Sequence, residues 1–383
     1  MAYDVVVAGG GRIGSTTAIF LSDMGFNVLV IEDNPSRIRV LRERYGLDVF
    51  KADIFSNSVD DILRSSNVVA LALPGSIGFS GLEKSLRLGV KNIVDVSYMA
   101  EDPLVLNDTA RNKGSIAIVD AGLAPGLSNL FVGHSYSMLN IVEDVLIYVG
   151  GLSKDPRCPL GLAATWNIRD LLEEYIRPAR IIINGEIKAV DPLEYSGRIS
   201  IPGKGSYEYF ASDGLRTMLK SLKPPRNTMA EFTLRYPGHI EKMKTLRELG
   251  FLSSIGLRIG KCEYDILEFT AQVLGLKLSE CSKDRVLMYI NISGIDKDGK
   301  PCIHELVLDE YYDDSRNITA MSKTTSGVQA CTVKLLIENR EELDKGVYGL
   351  EIVGLKDKTY KYMVECIRDL GINLYIWRKV LEN

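Results

Sequence analysis

The sequence predicts an α/β chain: a Rossmann-type doubly wound parallel sheet, followed by a second α+β domain with a mixed or antiparallel sheet. Three observations point there. Short, continuous apolar runs alternate with helical patterns over residues 4–120, the first run leads directly into a glycine-rich turn, and beyond residue 126 the punctuation changes to hairpin turns. A chain of 383 residues is too long for one ordinary domain and suits two.

The apolar runs are Val5–Ala8, Val28–Ile31, Leu47–Phe50, Val68–Leu73, Ile93–Val96 and Ile116–Val119. Runs without polar alternation, separated by helices, indicate a parallel sheet covered on both faces. Between the first two, Ile13, Thr17, Phe20, Leu21 and Met24 recur at helical spacing. Six such strands match a doubly wound dinucleotide fold.

The turn after the first strand reads Gly9-Gly10-Gly11-Arg12-Ile13-Gly14, a G-x-G-x-x-G pattern. Gly9 permits the tight turn, Gly11 lets backbone approach a pyrophosphate, and Gly14 lets the helix lie close to the sheet with its N–H groups facing the phosphates. The second strand ends in Glu32-Asp33, where an acid grips the ribose hydroxyls and repels a 2′-phosphate. That favours NAD over NADP, with Arg37 and Arg39 near enough in sequence to admit the latter. Asp53, past the third strand, is a candidate adenine contact. Ligands in open α/β sheets lie off the carboxyl ends of the strands. Leu73-Pro74 and Ser97-Tyr98 are therefore expected beside the nicotinamide, with Arg12, Ile13, Gly122 and Leu123 completing the cofactor set. The structural alternative is a tight turn and a solvated strand-end acid.

Beyond Asp120-Ala121-Gly122, a Pro-Gly pair opens a helix at about residue 126. Arg180–Asn184 and Glu186–Val190 flank an Asn-Gly turn, and Asp284–Ser293 and Pro301–Asp309 flank Lys297-Asp298-Gly299-Lys300. Helical patterns return at 326–339 and 358–370. The expected division is a dinucleotide-binding domain over 1–125, completed by 321–383, and a substrate-binding and oligomerisation domain over 126–320.

A formal net charge of −4 argues against nucleic acid or an anionic membrane as partner, and no run of 18 apolar residues suggests a span. Six cysteines without a CxxC pair, and three histidines without ligand spacing, suggest idle thiols in a reducing cytoplasm and no metal. A cytoplasmic homodimer acting on a small-molecule substrate is expected, its long middle strands able to extend a sheet across a two-fold axis.

Several second-domain segments concentrate residues that loops rarely need for packing. In order along the chain, GGGRIG at 9–14, DAGLAPGLSN at 120–129, YVGGL at 148–152, TWN at 165–167, SDGLRT at 212–217, RYPGH at 235–239 and MSKTTSG at 321–327 resemble the lysine 6-dehydrogenase branch of the saccharopine dehydrogenase family. The similarity covers nearly the whole chain. Ser153 stands where that family more often has proline, and Glu32 where aspartate is usual.

The resemblance implies NAD-dependent oxidation of the ε-amine of L-lysine, giving 2-aminoadipate 6-semialdehyde, which cyclises to a piperideine carboxylate, and ammonia. Such a site needs an arginine for the α-carboxylate, and Arg216 and Arg235 are the candidates. Asp213 is placed to meet an ammonium or to cap a helix. His239, titrating near neutrality, is the candidate proton acceptor or else a satisfied structural histidine. Tyr236 and Tyr175 shape the pocket or simply pack, and Trp166 walls the lysine stem or fills a core. His134 and His304 are given no role. A relative acting on saccharopine or a carboxylated polyamine would need a second carboxylate clamp, for which Arg157, Arg177, Arg180 and Arg198 are available. A non-catalytic sensor would bind NAD or an amino acid without turnover.

Overall fold

The computed structural model describes residues 3–163, 168–260 and 262–381, and the chain divides into two compact units. The first comprises residues 1–138, 220–222 and 322–372, and the second 139–219, 223–321 and 373–383.

The first unit holds the six expected strands: β1 (Val5–Ala8), β2 (Val28–Glu32), β3 (Asp48–Lys51), β4 (Val68–Leu71), β5 (Asn92–Asp95) and β6 (Ile116–Ile118). A seventh, β17 (Gly346–Tyr348), is too short at three residues to stand out in the sequence. The strands are all parallel, in the order β17-β6-β5-β4-β1-β2-β3. Every residue of β1, β2 and β4 is buried, which is why those runs lack polar alternation. Local chemistry sets the helix ends. Asn34 accepts from the N–H groups of Ser36 and Arg37 ahead of Pro35, and Gly46 closes the same helix at φ 64°.

The second unit is built on a nine-stranded mixed sheet of β7 (Leu139–Ser153), β8 (Ala179–Ile183), β9 (Glu186–Val190), β10 (Ser196–Ile201), β11 (Gly205–Ser212), β12 (Thr228–Arg235), β15 (Asp284–Asp296), β16 (Pro301–Tyr311) and β18 (Leu374–Val380). β7 and β12 run parallel and the other pairs antiparallel. A small ribbon of β13 (Gly256–Ile259) and β14 (Cys262–Asp265) stands apart. The β8–β9 hairpin turns at Asn184 and Gly185, both at positive φ, as an Asn-Gly loop demands. Alternation along the strands gives the sheet two cores. Tyr148, Phe232, Leu234, Leu287 and Val307 form one; Phe210 joins Tyr175, Leu171, Met243 and Leu267 in the other.

Three expectations need correction. Helix Leu127–Met138 belongs to the first unit, because Gly133 and Gly354 let it lie against helix Leu350–Gly354. A Cβ on either would come within 2.0 or 2.1 Å of a carbonyl oxygen of the facing helix. The last strand does not complete the first domain, since β18 pairs with β16 from Leu308–Leu374 to Cys302–Val380. The thiols are not idle. Cys158–Cys281 and Cys331–Cys366 are disulfide-bonded, with Cα separations of 6.2 and 5.8 Å, while Cys302 is a buried free thiol. Sequence separations of 123 and 35 residues hid these pairings, and with them goes the thiol argument for a reducing compartment.

Among the described residues, no helix is long and apolar enough to cross a membrane, and no group of three or more His, Cys, Asp or Glu is arranged to hold a metal ion.

Candidate functional site

In the first unit the glycine turn has the geometry its spacing calls for. Gly9 sits at φ 98°, and a Cβ there would lie 2.4 Å from the Ala72 carbonyl oxygen. A Cβ on Gly14 would lie 1.9 Å from the Gly9 oxygen, so the turn and the start of helix Arg12–Asp23 touch through backbone. Gly11 differs, with no atom within 4 Å of an added Cβ. Its open side is where a diphosphate can approach the backbone, and this fits the cradle to a dinucleotide. Arg12 is exposed and Ile13 half-buried on the first helical turn.

Glu32 ends β2 beneath this turn at 4% exposure. Its Oε2 accepts from Gly10 N–H at 2.8 Å, and Oε1 accepts from Asp33 and Asn34 N–H at 3.1 and 2.9 Å. Burial opposes ionisation, but the backbone donors of Asn34 and Gly10 outweigh it and hold the carboxyl below its ordinary range. The Arg37 Nη1 lies 3.5 Å from Oε2. Asp33 and Asp53 are exposed, and Asp53 accepts from Phe55 N–H at 2.9 Å in a local turn.

The strand-end loops are tied to each other. Ser97, buried, donates its N–H to Asp95 Oδ1 at 2.7 Å, while its Oγ accepts from Leu73 N–H at 3.3 Å. Pro74 and Tyr98 are exposed alongside. Gly122 and buried Leu123 lie in a turn closed on Gly126, and a Cβ on Gly126 would sit 1.9 Å from the Gly122 oxygen. Gly9, Glu32, Leu73, Ser97 and Gly122 thus all lie at the carboxyl ends of parallel strands.

In the second unit, Tyr175, Arg235 and His239 come together. Arg235 Nε donates to the Tyr175 hydroxyl at 2.9 Å, that hydroxyl lies 2.8 Å from His239 Nε2, and Arg235 Nη2 donates to Glu174 Oε2 at 3.3 Å. His239 Nδ1 lies 2.9 Å from the Leu160 carbonyl oxygen. His239 is 2% exposed, and burial together with the Arg235 charge depresses it to about 3. Burial raises Tyr175 to about 12 against the pull of Arg235. Both ring nitrogens of His239 are engaged and the ring is held neutral. The expectation of a proton acceptor here gives way to a satisfied structural histidine.

The remaining second-unit candidates are dispersed. Asp213 is gripped by Arg180, whose Nε and Nη2 donate to its two oxygens at 2.8 Å each, so its charge is already met by a guanidinium. Tyr236 donates to the Ser153 carbonyl at 2.9 Å, and its ring fills the space beside Gly161. Arg216, half-buried, sits in the left-handed region at φ 46°. Trp166 lies outside the described residues.

Two acids escaped the sequence reading. Glu174 keeps 28% of its side-chain surface, and burial of its carboxyl raises it to about 7 although Arg235 and Arg177 pull it down. Its one signal was adjacency to Tyr175. Glu208 Oε2 accepts from Ile240 N–H at 3.0 Å, capping helix His239–Glu248 where Gly238 offers no side chain. No local pattern marks a cap supplied by a strand residue 32 positions away.

Comparison with known proteins agrees with this architecture. Residues 122–372 match the family described as the saccharopine dehydrogenase C-terminal domain, and residues 5–70 match the TrkA-N domain. Two curated relatives are named saccharopine dehydrogenase [NADP(+), L-glutamate-forming]. That of Schizosaccharomyces pombe is 28% identical over 172 residues, which is 42% of this chain and 38% of the relative. That of Pyricularia oryzae is 23% identical over 266 residues, 65% of this chain and 58% of the relative, so the aligned part spans less than two thirds of either. The solved structure of apo saccharopine dehydrogenase (L-Glu forming) from Saccharomyces cerevisiae shares the fold at a TM-score of 0.78, with 19% identity over 99% of this chain and 100% of that one. With about two thirds of its length matched by the family's C-terminal domain, behind a parallel-sheet unit carrying the glycine turn, the chain belongs to the saccharopine dehydrogenase family.

Proposed function

We propose that the chain is an NAD-linked oxidoreductase that oxidises the ε-amine of L-lysine. The observation that carries the cofactor half is Glu32, a buried, ionised acid at the end of β2 fixed by three backbone donors. Ribose hydroxyls can donate to it, whereas a 2′-phosphate would be brought against its charge. The backbone of Gly9–Gly14 and the first turn of helix Arg12–Asp23 would hold the diphosphate, and Asp53 the adenine side. Leu73, Pro74, Ser97, Tyr98, Gly122 and Leu123 would border the nicotinamide.

The substrate half is supported by pairing among the arginines. Arg157 faces Asp155 at 2.7 Å, Arg177 faces Glu173 at 2.8 Å, Arg180 faces Asp213 at 2.8 Å and Arg198 faces Glu208 at 3.4 Å. Each of the four that a second substrate carboxylate would need already meets an acid. This favours a substrate with one α-carboxylate. Arg235 is committed to Tyr175 and Glu174, and Arg216, in the SDGLRT segment that carries the resemblance, is the proposed clamp.

The nicotinamide, when bound, supplies the acceptor for a hydride from the ε-carbon. The ε-ammonium must first lose a proton, and Glu174 takes over from His239 as the proposed acceptor, because it titrates near neutrality and retains exposed surface. Tyr175, Arg235 and His239 would then act as its support. Cytoplasmic location and a homodimer belong to the same proposal.

A second reading, NADP-linked action on saccharopine, is favoured by the names of the relatives and by Arg37 beside Glu32. Absorbance of reduced nicotinamide, followed with NAD and with NADP over L-lysine, L-ornithine and saccharopine, separates the two. L-lysine with NAD is expected to respond. A response to saccharopine with NADP alone would replace this proposal by the second reading. Dinucleotide binding without turnover of any amine would leave a sensor.

A further inference from the structure

Helix Ala320–Glu338 carries Gln329, a fully buried amide with three polar contacts that no cofactor motif includes. Its Nε2 donates to the carbonyl of Leu71 at 2.8 Å and to that of Val94 at 3.3 Å, and its Oε1 accepts from Thr17 Oγ1 at 2.7 Å. Two carbonyls can only accept, so the partners themselves decide which way the amide points. One turn earlier, Ser326 Oγ donates to the Ile13 carbonyl at 2.8 Å.

These partners are not scattered. Leu71 is the last residue of β4, Val94 stands one residue from the end of β5, and Thr17 and Ile13 lie in the helix that follows the glycine turn. The Leu71 oxygen already accepts from Val96 N–H at 3.1 Å, so Gln329 fills its second lone pair. One side chain therefore ties the ends of β4 and β5 to the phosphate-facing helix. It does so where the Leu73–Pro74 and Ser97–Tyr98 loops depart. Glu32, proposed to hold the adenosine ribose, lies on the other side of β1, at the end of β2.

We infer that Gln329 is a positioning residue for the nicotinamide half of the dinucleotide. It fixes the gap between the β4 and β5 ends against the helix, while the adenosine half is held by groups that Gln329 does not touch. The inference rests on the dinucleotide reading above.

Binding of NAD and of ADP-ribose, which lacks the nicotinamide, is measured on the full chain by calorimetry for the wild type, Gln329→Met and Thr17→Val. Gln329→Met keeps the length and removes both donors. It is expected to weaken NAD about ten-fold while leaving ADP-ribose within about two-fold. Thr17→Val removes one bond that orients the amide and is expected to shift the same ratio about three-fold. A general loss of fold would weaken both ligands alike. Equal weakening, or an unchanged ratio in whichever variants fold, overturns the inference. A wild type that binds neither ligand would instead overturn the dinucleotide reading beneath it.

Discussion

The hydroxyl of Tyr175 lies 2.8 Å from Nε2 of His239, and the pair is closed at both ends, by Arg235 on the phenol and by the Leu160 carbonyl on Nδ1. Because that carbonyl can only accept, Nδ1 carries the ring proton, Nε2 accepts from Tyr175, and the imidazole has no vacant nitrogen. A protonated ring would turn Nε2 into a second donor facing a hydroxyl that already receives Arg235.

This arrangement predicts a pH dependence of stability. The ring of His239 is depressed to about 3 in the folded chain, against about 6.5 when unfolded. Between those values the unfolded state binds the extra proton. The contribution is therefore fully present above about pH 6.5 and is lost as pH falls toward 3, by up to about 1.4 kcal/mol per pH unit. Urea titrations of the wild type and His239→Gln across this window should show a shallower acid loss in the variant. Parallel curves would mean that His239 is not buried neutral.

Arg235→Met should destabilise by about 3–5 kcal/mol, because it removes the donor to the buried Tyr175 hydroxyl and the guanidinium bonded to the Glu174 carboxyl. Thermal unfolding with Tyr175→Phe in a double-mutant cycle measures the coupling. A loss below about 1 kcal/mol would show the cluster to be dispensable for stability.

The glycine turn offers a contrast between neighbours. Gly14→Ala places a methyl 1.9 Å from the Gly9 oxygen and should lower the melting temperature of the ligand-free protein. Gly11→Ala meets nothing within 4 Å, so its ligand-free stability should stay within about 1 kcal/mol of wild type while NAD affinity falls about ten-fold or more. Retention of full affinity in Gly11→Ala would place the diphosphate elsewhere.

Reduction of Cys158–Cys281 should cost about 2–5 kcal/mol, since the bond closes a long loop in the unfolded chain. It also tethers the segment that supplies the Leu160 carbonyl to His239. Melting with and without dithiothreitol, repeated on Cys158→Ser, reads the effect. An unchanged transition in the wild type would argue that the bond does not form in solution.

Glu174→Gln should lower kcat by about 100-fold or more with little change in KM, and should remove a kinetic break near pH 7. A variant of unchanged kcat would return the proton acceptor to an unassigned group.

The first unit was legible because its signals are local. Gly9, Gly11 and Gly14 announce the turn by spacing alone, and β1, β2 and β4 are buried on both faces, so their residue types do not depend on what covers them. Asn184-Gly185 likewise placed its hairpin, since few residue pairs take two successive positive φ values. The candidate substrate residues were harder to read. The spacing around Asp213 suggests a cap or an ammonium contact and gives no sign of Arg180, 33 residues away, which holds both of its oxygens.

By itself the sequence determined the succession of strands and helices, the glycine turn and the acid that ends β2, because each follows from neighbours within a few residues. The tertiary structure alone decided that β18 joins the second sheet, which cysteines bond, that His239 is neutral and enclosed, and that Gln329 reaches two strand ends and a helix at once. Those outcomes depend on burial and on partners tens to hundreds of residues apart. A side chain's charge and hydrogen bonds are set by the groups that surround it in space, and sequence spacing does not record them.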